Sequence, residues 1–90
     1  MDKTMRASHI LVNSEVIANQ VYDNASPLNF GNLAQAWSQC PSKARGGDLG
    51  DFGVGAMVKP FEEAVVATPI GSINRPIKTD FGWHVIYRTG

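Results

Sequence analysis

Two histidines and one cysteine are the residues of this 90-residue chain best suited to chemistry. His9 stands in Ala7-Ser8-His9-Ile10-Leu11-Val12 near the start. His84 stands in Phe81-Gly82-Trp83-His84-Val85-Ile86 near the end, and Cys40 lies between them. Imidazole gives and takes protons, forms two hydrogen bonds, ligates metals and changes charge near neutral pH. Each histidine sits in a short run of strand-forming residues. Terminal segments of a compact domain can pair side by side, which would bring the two rings together in the core. Two unrelated strand histidines are the other reading.

Cys40 sits in the connection Ser-Gln-Cys-Pro-Ser-Lys-Ala-Arg-Gly-Gly-Asp-Leu-Gly, residues 38–50. A loop thiol can be a nucleophile, a metal ligand or simply a small residue. Nothing around it matches a cysteine-hydrolase signature, and no Asn or Asp is obviously placed to orient a histidine. Zinc held by Cys40, His9 and His84 would have three distant ligands and none of the close-spaced pairs of structural zinc sites. No metal and no cofactor is therefore expected. Gly46-Gly47-Asp48-Leu49-Gly50 resembles a phosphate loop only superficially, lacking the lysine and the helix start. Leu49, Phe52, Met57, Phe61 and Phe81 are apolar residues near loops or element ends. Taken singly each reads as core; as a set they could line an apolar pocket.

The elements that must position these residues follow from periodicity. Ala7–Val12 reads as a strand, with His9 on the same face as Ala7 and Leu11. Ser14 suits an N-cap for a helix starting at Glu15. Ala18, Val21, Tyr22 and Ala25 share one face of it, and Ser26-Pro27 stops it. A second helix from about Asn29 places Phe30, Leu33, Ala34 and Trp37 on one stripe. Leu49 to Gly53 is a short strand, and Lys59-Pro60 opens a third helix with Glu62 and Glu63 in its first turn. Phe61, Ala64 and Val65 mark its buried side. Ile73–Thr79 and Gly82–Arg88 are two strands of a hairpin. The result is a single α+β domain over residues 1–90, with strands and helices in the order β-α-α-β-α-β-β.

Composition excludes several classes. The chain is 43% hydrophobic, with eight basic and eight acidic residues and a formal net charge of +0. Ninety residues bury roughly 60–68% of their extended surface, enough for one modest core. Basic residues do not cluster, so neither nucleic acid nor an anionic membrane is an implied partner. No apolar run approaches the ~18 residues of a membrane span. The opening Met1-Asp2-Lys3-Thr4-Met5-Arg6 lacks the apolar centre of a signal peptide. The single cysteine suits a reducing compartment. A cytoplasmic monomer is the expectation.

Five motifs in order then carry a resemblance. They are Ala7–Val12; Phe30-Gly31-Asn32-Leu33-Ala34 leading to Ser38; Ala44-Arg45-Gly46-Gly47-Asp48-Leu49-Gly50; Met57-Val58-Lys59-Pro60-Phe61-Glu62-Glu63-Ala64; and Thr79-Asp80-Phe81-Gly82-Trp83-His84-Val85-Ile86. From Arg6 to Arg88 the chain resembles the parvulin family of peptidyl-prolyl cis/trans isomerases, and Ser38–Ser42 is most like small single-domain bacterial parvulins. The resemblance implies a four-stranded antiparallel sheet of the parvulin-like (FKBP-like) fold. About four helices would wrap it, one of them a short helix before the second strand. It implies that His9 and His84 face each other on the central strands, flanked by Cys40 and Thr79 as catalytic residues. Leu49, Phe52, Met57, Phe61 and Phe81 would form the proline pocket, with Val58 beside them. The implied substrates are proline-containing polypeptides. Val12 runs through Asn13 into Ser14-Glu15 without the basic insertion of phosphopeptide-directed parvulins, and Val58 and Phe81 favour an apolar residue before proline. A peptide-binding module without catalysis, part of a larger chaperone, is the alternative function.

Overall fold

The computed structural model describes residues 4–90; Met1-Asp2-Lys3, the opening of the N-terminal segment read above, lies outside them. Strand β1 (Thr4–Val12) leads into helices α1 (Glu15–Asn24) and α2 (Phe30–Trp37) and a short 3-10 helix, Pro41–Arg45. Then come β2 (Asp48–Gly53), α3 (Lys59–Ala67) and the hairpin β3 (Ile73–Thr79) and β4 (Gly82–Arg88). The four strands form one antiparallel sheet in the order β2-β1-β4-β3. The first and last strands of the chain are thus the two central ones. The α+β fold and the element order agree with the sequence, with three α-helices and the 3-10 turn making up the expected four.

Side-chain alternation divides the core in two. Ile10 and Val12 of β1 and Val85 of β4 point to one face and pack with Ala18, Val21, Phe30 and Ala34 of α1 and α2. Met5 and Ala7 of β1 and Ile86 of β4 point to the other and pack with Phe52, Phe61, Ala64 and Val65. His9 and His84 belong to this second face, with period two along their strands.

Local signals account for most boundaries. Ser14 caps α1 by accepting the Ile17 N–H at 3.4 Å. Proline lies in the first turn of both the 3-10 helix and α3, where a missing N–H costs nothing. Glu62 in the first turn of α3 accepts the Gly55 N–H at 2.6 Å, which ties down the loop carrying Met57 and Val58. β1 begins at Thr4, ahead of the expected Ala7, because Thr4 pairs with Gly53 and Met5 with Phe52. That pairing comes from a strand remote in sequence, so no local pattern announces it.

Two glycines are required by close approach. Gly47 has φ +85°, and a Cβ there would lie 2.4 Å from the His9 carbonyl oxygen. The space is needed because Gly47 O accepts the His9 N–H at 2.9 Å. Gly82 has φ +136°, and its Cβ would lie 2.7 Å from Val12 O. Both positions fix the main chain beside the histidine strands.

Candidate active site

The two central strands place the histidines on a diagonal. His9 is opposite Ile86, and His84 is opposite Leu11. Their Nδ1 atoms are 2.9 Å apart, and the rings are inclined by only 19°. This is a hydrogen bond within a plane shared by both imidazoles, so one Nδ1 carries a proton and the other accepts it. Phe61, from the first turn of α3, stands edge-on to both rings, with centroids 5.6 Å from His9 and 5.2 Å from His84.

The polar chain continues to the hairpin. Thr79 Oγ1 lies 2.7 Å from His84 Nε2 and accepts the Phe81 N–H at 3.2 Å. With one lone pair already used, the threonine hydroxyl has its proton free to donate to His84 Nε2. His84 then holds its proton on Nδ1 and donates to His9 Nδ1, leaving the His9 proton on Nε2. The reverse polarity would leave two buried groups unpaired, the Thr79 hydroxyl proton and the His9 Nε2 lone pair, where this one leaves only the His9 Nε2 proton. Burial of both rings holds their pKa values down at about 4, and for His9 the neighbouring His84 adds to the effect. Both are therefore neutral at pH 7, as a buried ring without a carboxylate should be.

Above the pair opens a cleft of about 460 Å³. Met57, Val58, Phe61, Leu49 and Phe81 give it apolar walls, with Gln39, Cys40, His9 and His84 as its polar residues. Phe81 is largely exposed at its mouth, and Val58 is partly exposed there. Phe52 and Thr79 do not line the cleft. Phe52 is buried behind Phe61, ring centroids 6.4 Å apart, and Thr79 stands behind His84. Among the described residues no group of three or more His, Cys, Asp or Glu could hold a metal ion.

The rotamase family, described as the PPIC-type PPIase domain, matches residues 8–90. The chain belongs to the parvulin-type peptidyl-prolyl isomerase family. The foldase protein PrsA of Geobacillus kaustophilus is 48% identical over 84 residues, covering 91% of this chain and 30% of PrsA. The peptidyl-prolyl cis-trans isomerase Pin1 of Digitalis lanata is 52% identical over 66 residues, 73% of this chain and 56% of that protein. Among solved structures, NmPin, the parvulin of Nitrosopumilus maritimus, superposes with a TM-score of 0.83 at 36% identity, covering 100% of this chain and 99% of NmPin. The chain thus spans under a third of the PrsA relative and nearly the whole of a small parvulin.

Within this parvulin domain the cleft includes residues that sequence reasoning passed over. Leu11, Gln39, Pro41 and Ala56 also line it. Leu11 was accessible in principle, being two residues beyond His9 on the same strand face. Ser38 was not. Its buried hydroxyl oxygen accepts the N–H groups of Leu11 at 3.1 Å and Cys40 at 3.3 Å, while Gln39 N–H donates to Leu11 O at 2.7 Å. These bonds pin the Cys40 loop to the end of β1. No spacing rule finds such a clamp, since it joins a loop to a strand 27 residues away.

Proposed function

We propose that this parvulin domain accelerates X–Pro rotation in unfolded or flexible polypeptides, without a covalent intermediate, and prefers an apolar X to a phosphorylated or acidic one. The observation that carries the preference is the lining of the cleft. None of its lining residues is charged in their ordinary state at neutral pH, and the two histidines at its floor are neutral. One residue alone, Asn13, separates β1 from the Ser14 cap of α1, so no basic loop overhangs the site from that side. A doubly charged phosphate would have no arginine to pair with there.

The task suits these groups. Rotation about X–Pro faces a barrier of ~18–20 kcal/mol and takes tens of seconds unaided. A turnover of ~10³ s⁻¹ requires lowering that barrier by about 6 kcal/mol. No bond breaks, so no nucleophile is needed. The planar amide has charge separation that water solvates better than an apolar wall does. Gripping the proline ring between Met57, Leu49 and Phe61 therefore disfavours the planar state relative to the twisted one. Polar groups fixed beside the carbonyl, Cys40 and the Thr79–His84–His9 chain, then favour the twisted form without reorganising. Thr79 acts through His84 in this reading, and Phe52 acts by backing Phe61.

The cleft is complete within one chain, which supports action as a monomer, and an unpaired thiol at its mouth suits a reducing compartment such as the cytoplasm. Relatives named foldase and chaperone support a role in folding. The test is a protease-coupled isomerisation assay on a peptide series varying only X among Leu, Phe, Glu and phosphoserine. Highest efficiency for Leu or Phe is expected. A preference for Glu or phosphoserine would overturn the proposed selectivity, and the absence of acceleration for every peptide would favour a binding module.

A further inference from the structure

The polar chain Thr79–His84–His9 ends in a buried nitrogen. His9 is 5% exposed, and its Nε2 has no hydrogen-bonding partner. The polarity worked out above puts a proton on that nitrogen, making it a donor. One other buried side-chain polar atom among the described residues also lacks a partner: Oγ of Ser42, a residue 6% exposed. An unmade hydrogen bond at a buried group is costly, and two of them within one small domain call for an explanation.

Topology puts the two on the same side of β1. The strand lies between β4 and β2 in the sheet. His9 turns its Nδ1 toward His84 on β4, so the opposite ring edge, bearing Nε2, faces β2 and the 3-10 helix that precedes it. Ser42 belongs to that 3-10 helix. The main chain joins them directly: His9 N–H donates to Gly47 O at 2.9 Å, and Gly47 N–H donates to Ser42 O at 2.9 Å. Gly47 admits this approach only because it lacks a Cβ.

We infer that Ser42 is a positioning residue of the isomerase site, joined to His9 Nε2 through one buried water that accepts the imidazole proton and hydrogen-bonds Ser42 Oγ. A single water with two to four polar partners is the usual way such groups are satisfied. The polar chain would then run from the Phe81 main chain to the 3-10 helix, Thr79–His84–His9–water–Ser42, with the donors from Thr79 to His9 oriented one way. Ser42 would hold His9 in the Nε2–H form and thereby keep His84 donating from Nδ1. It touches no substrate. Its effect on rotation rests on the isomerase reading; its effect on the His9 tautomer does not.

The experiment is nitrogen-15 NMR of the imidazole rings in the intact chain, with the variants Ser42→Ala and Ser42→Thr. In the unaltered protein we expect His9 Nε2 to appear protonated, with a proton slow to exchange and a cross-relaxation signal to bound water. In Ser42→Ala the water signal is lost, exchange of that proton quickens by about three- to tenfold, and kcat falls with KM held. Ser42→Thr retains the hydroxyl and should restore the slow exchange; should it misfold, the signals of the unaltered protein still decide. A His9 ring protonated on Nδ1, or an Nε2 proton unchanged in Ser42→Ala, would overturn the inference. An unaltered protein that shows the bound-water signal and yet rotates no X–Pro bond would overturn the isomerase reading alone.

Discussion

Two clefts of nearly equal size open on opposite faces of the sheet. One, about 480 Å³, runs between α1 and α2 and is lined by Ile17, Val21, Leu33 and Trp37 with Gln20, Asn24 and Asn29. The other, about 460 Å³, lies over His9 and His84. Volume does not distinguish them. The first is a crevice between two helices, and its asparagines are occupied locally: Asn24 donates to Gln20 O, and Asn29 donates to Asn24 O while accepting the Ser26 N–H. The second is floored by central strands, and its two histidines belong to a hydrogen-bonded chain, Thr79–His84–His9, that runs into the core. Beneath the first cleft the face of β1 is closed by apolar residues such as Phe30 and Ile10. The same strand therefore closes one face with Ile10 and Val12 and, on the other, carries His9 beyond the packed Met5 and Ala7.

The largest effect should come from breaking each face at its aromatic anchor. Phe30 is 1% exposed on the α1–α2 side, and Phe61 is 3% exposed under the histidines. Either change to alanine should cost about 3–5 kcal/mol by urea unfolding. Only Phe61→Ala should also lower kcat/KM for the fraction that remains folded. Equal loss of activity per folded molecule in both would erase the distinction between the faces.

Next comes the histidine pair. His84→Ala strands both Thr79 Oγ1 and His9 Nδ1, and a loss of about 1–3 kcal/mol is expected in unfolding experiments. Unchanged stability would mean that the 2.9 Å contact is not a bond.

Acid separates the faces without mutation. Each ring has a pKa of about 4 when folded and an ordinary value of 6.5 when unfolded. As the pH falls below about 6.5, the unfolded chain binds protons that the folded chain refuses. The contribution of the pair is complete above 6.5, and it is lost progressively as the pH falls toward 4. Urea midpoints at pH 7 and pH 5 should show the decline, and His84→Ala should flatten it. An identical decline in His84→Ala would assign it to other groups.

The smallest effect is reserved for Cys40→Asp. Cys40 is half-buried at the cleft rim, held through its main-chain N–H by Ser38. Asp is another small polar neighbour for the rotating carbonyl, so activity should stay within about tenfold, and stability within about 0.5 kcal/mol. Complete loss in a folded variant, with a trapped covalent adduct, would contradict the non-covalent reading.

Much of this arrangement was legible in the sequence because it depends on short-range patterns. The stripe Phe30, Leu33, Ala34, Trp37 set the phase of α2, Ser14 marked the start of α1, and alternation put His9 beside Ala7 and Leu11. The hairpin that joins Thr79 to His84 was readable from its turn, while the place of Thr79 beside the histidines came from the resemblance to parvulins. What escaped depends on pairing across the chain. The early start of β1 needs β2 as partner. Phe52 and Phe61 are both aromatic residues near element ends, and only the tertiary packing puts one behind the other. The Ser38 clamp joins a loop to a strand, and a serine in a loop carries no signal of the strand that it will hold.

The most direct test of the two-faced reading is a titration of the labelled chain with a Leu-Pro peptide, following main-chain NMR shifts and cis–trans exchange of the peptide together. Shifts should concentrate at Leu49, Met57, Phe61 and Phe81, and exchange cross-peaks of the peptide should appear at catalytic amounts of protein. Shifts centred on Ile17, Leu33 and Trp37, or binding over the histidines with no acceleration of exchange, would contradict it.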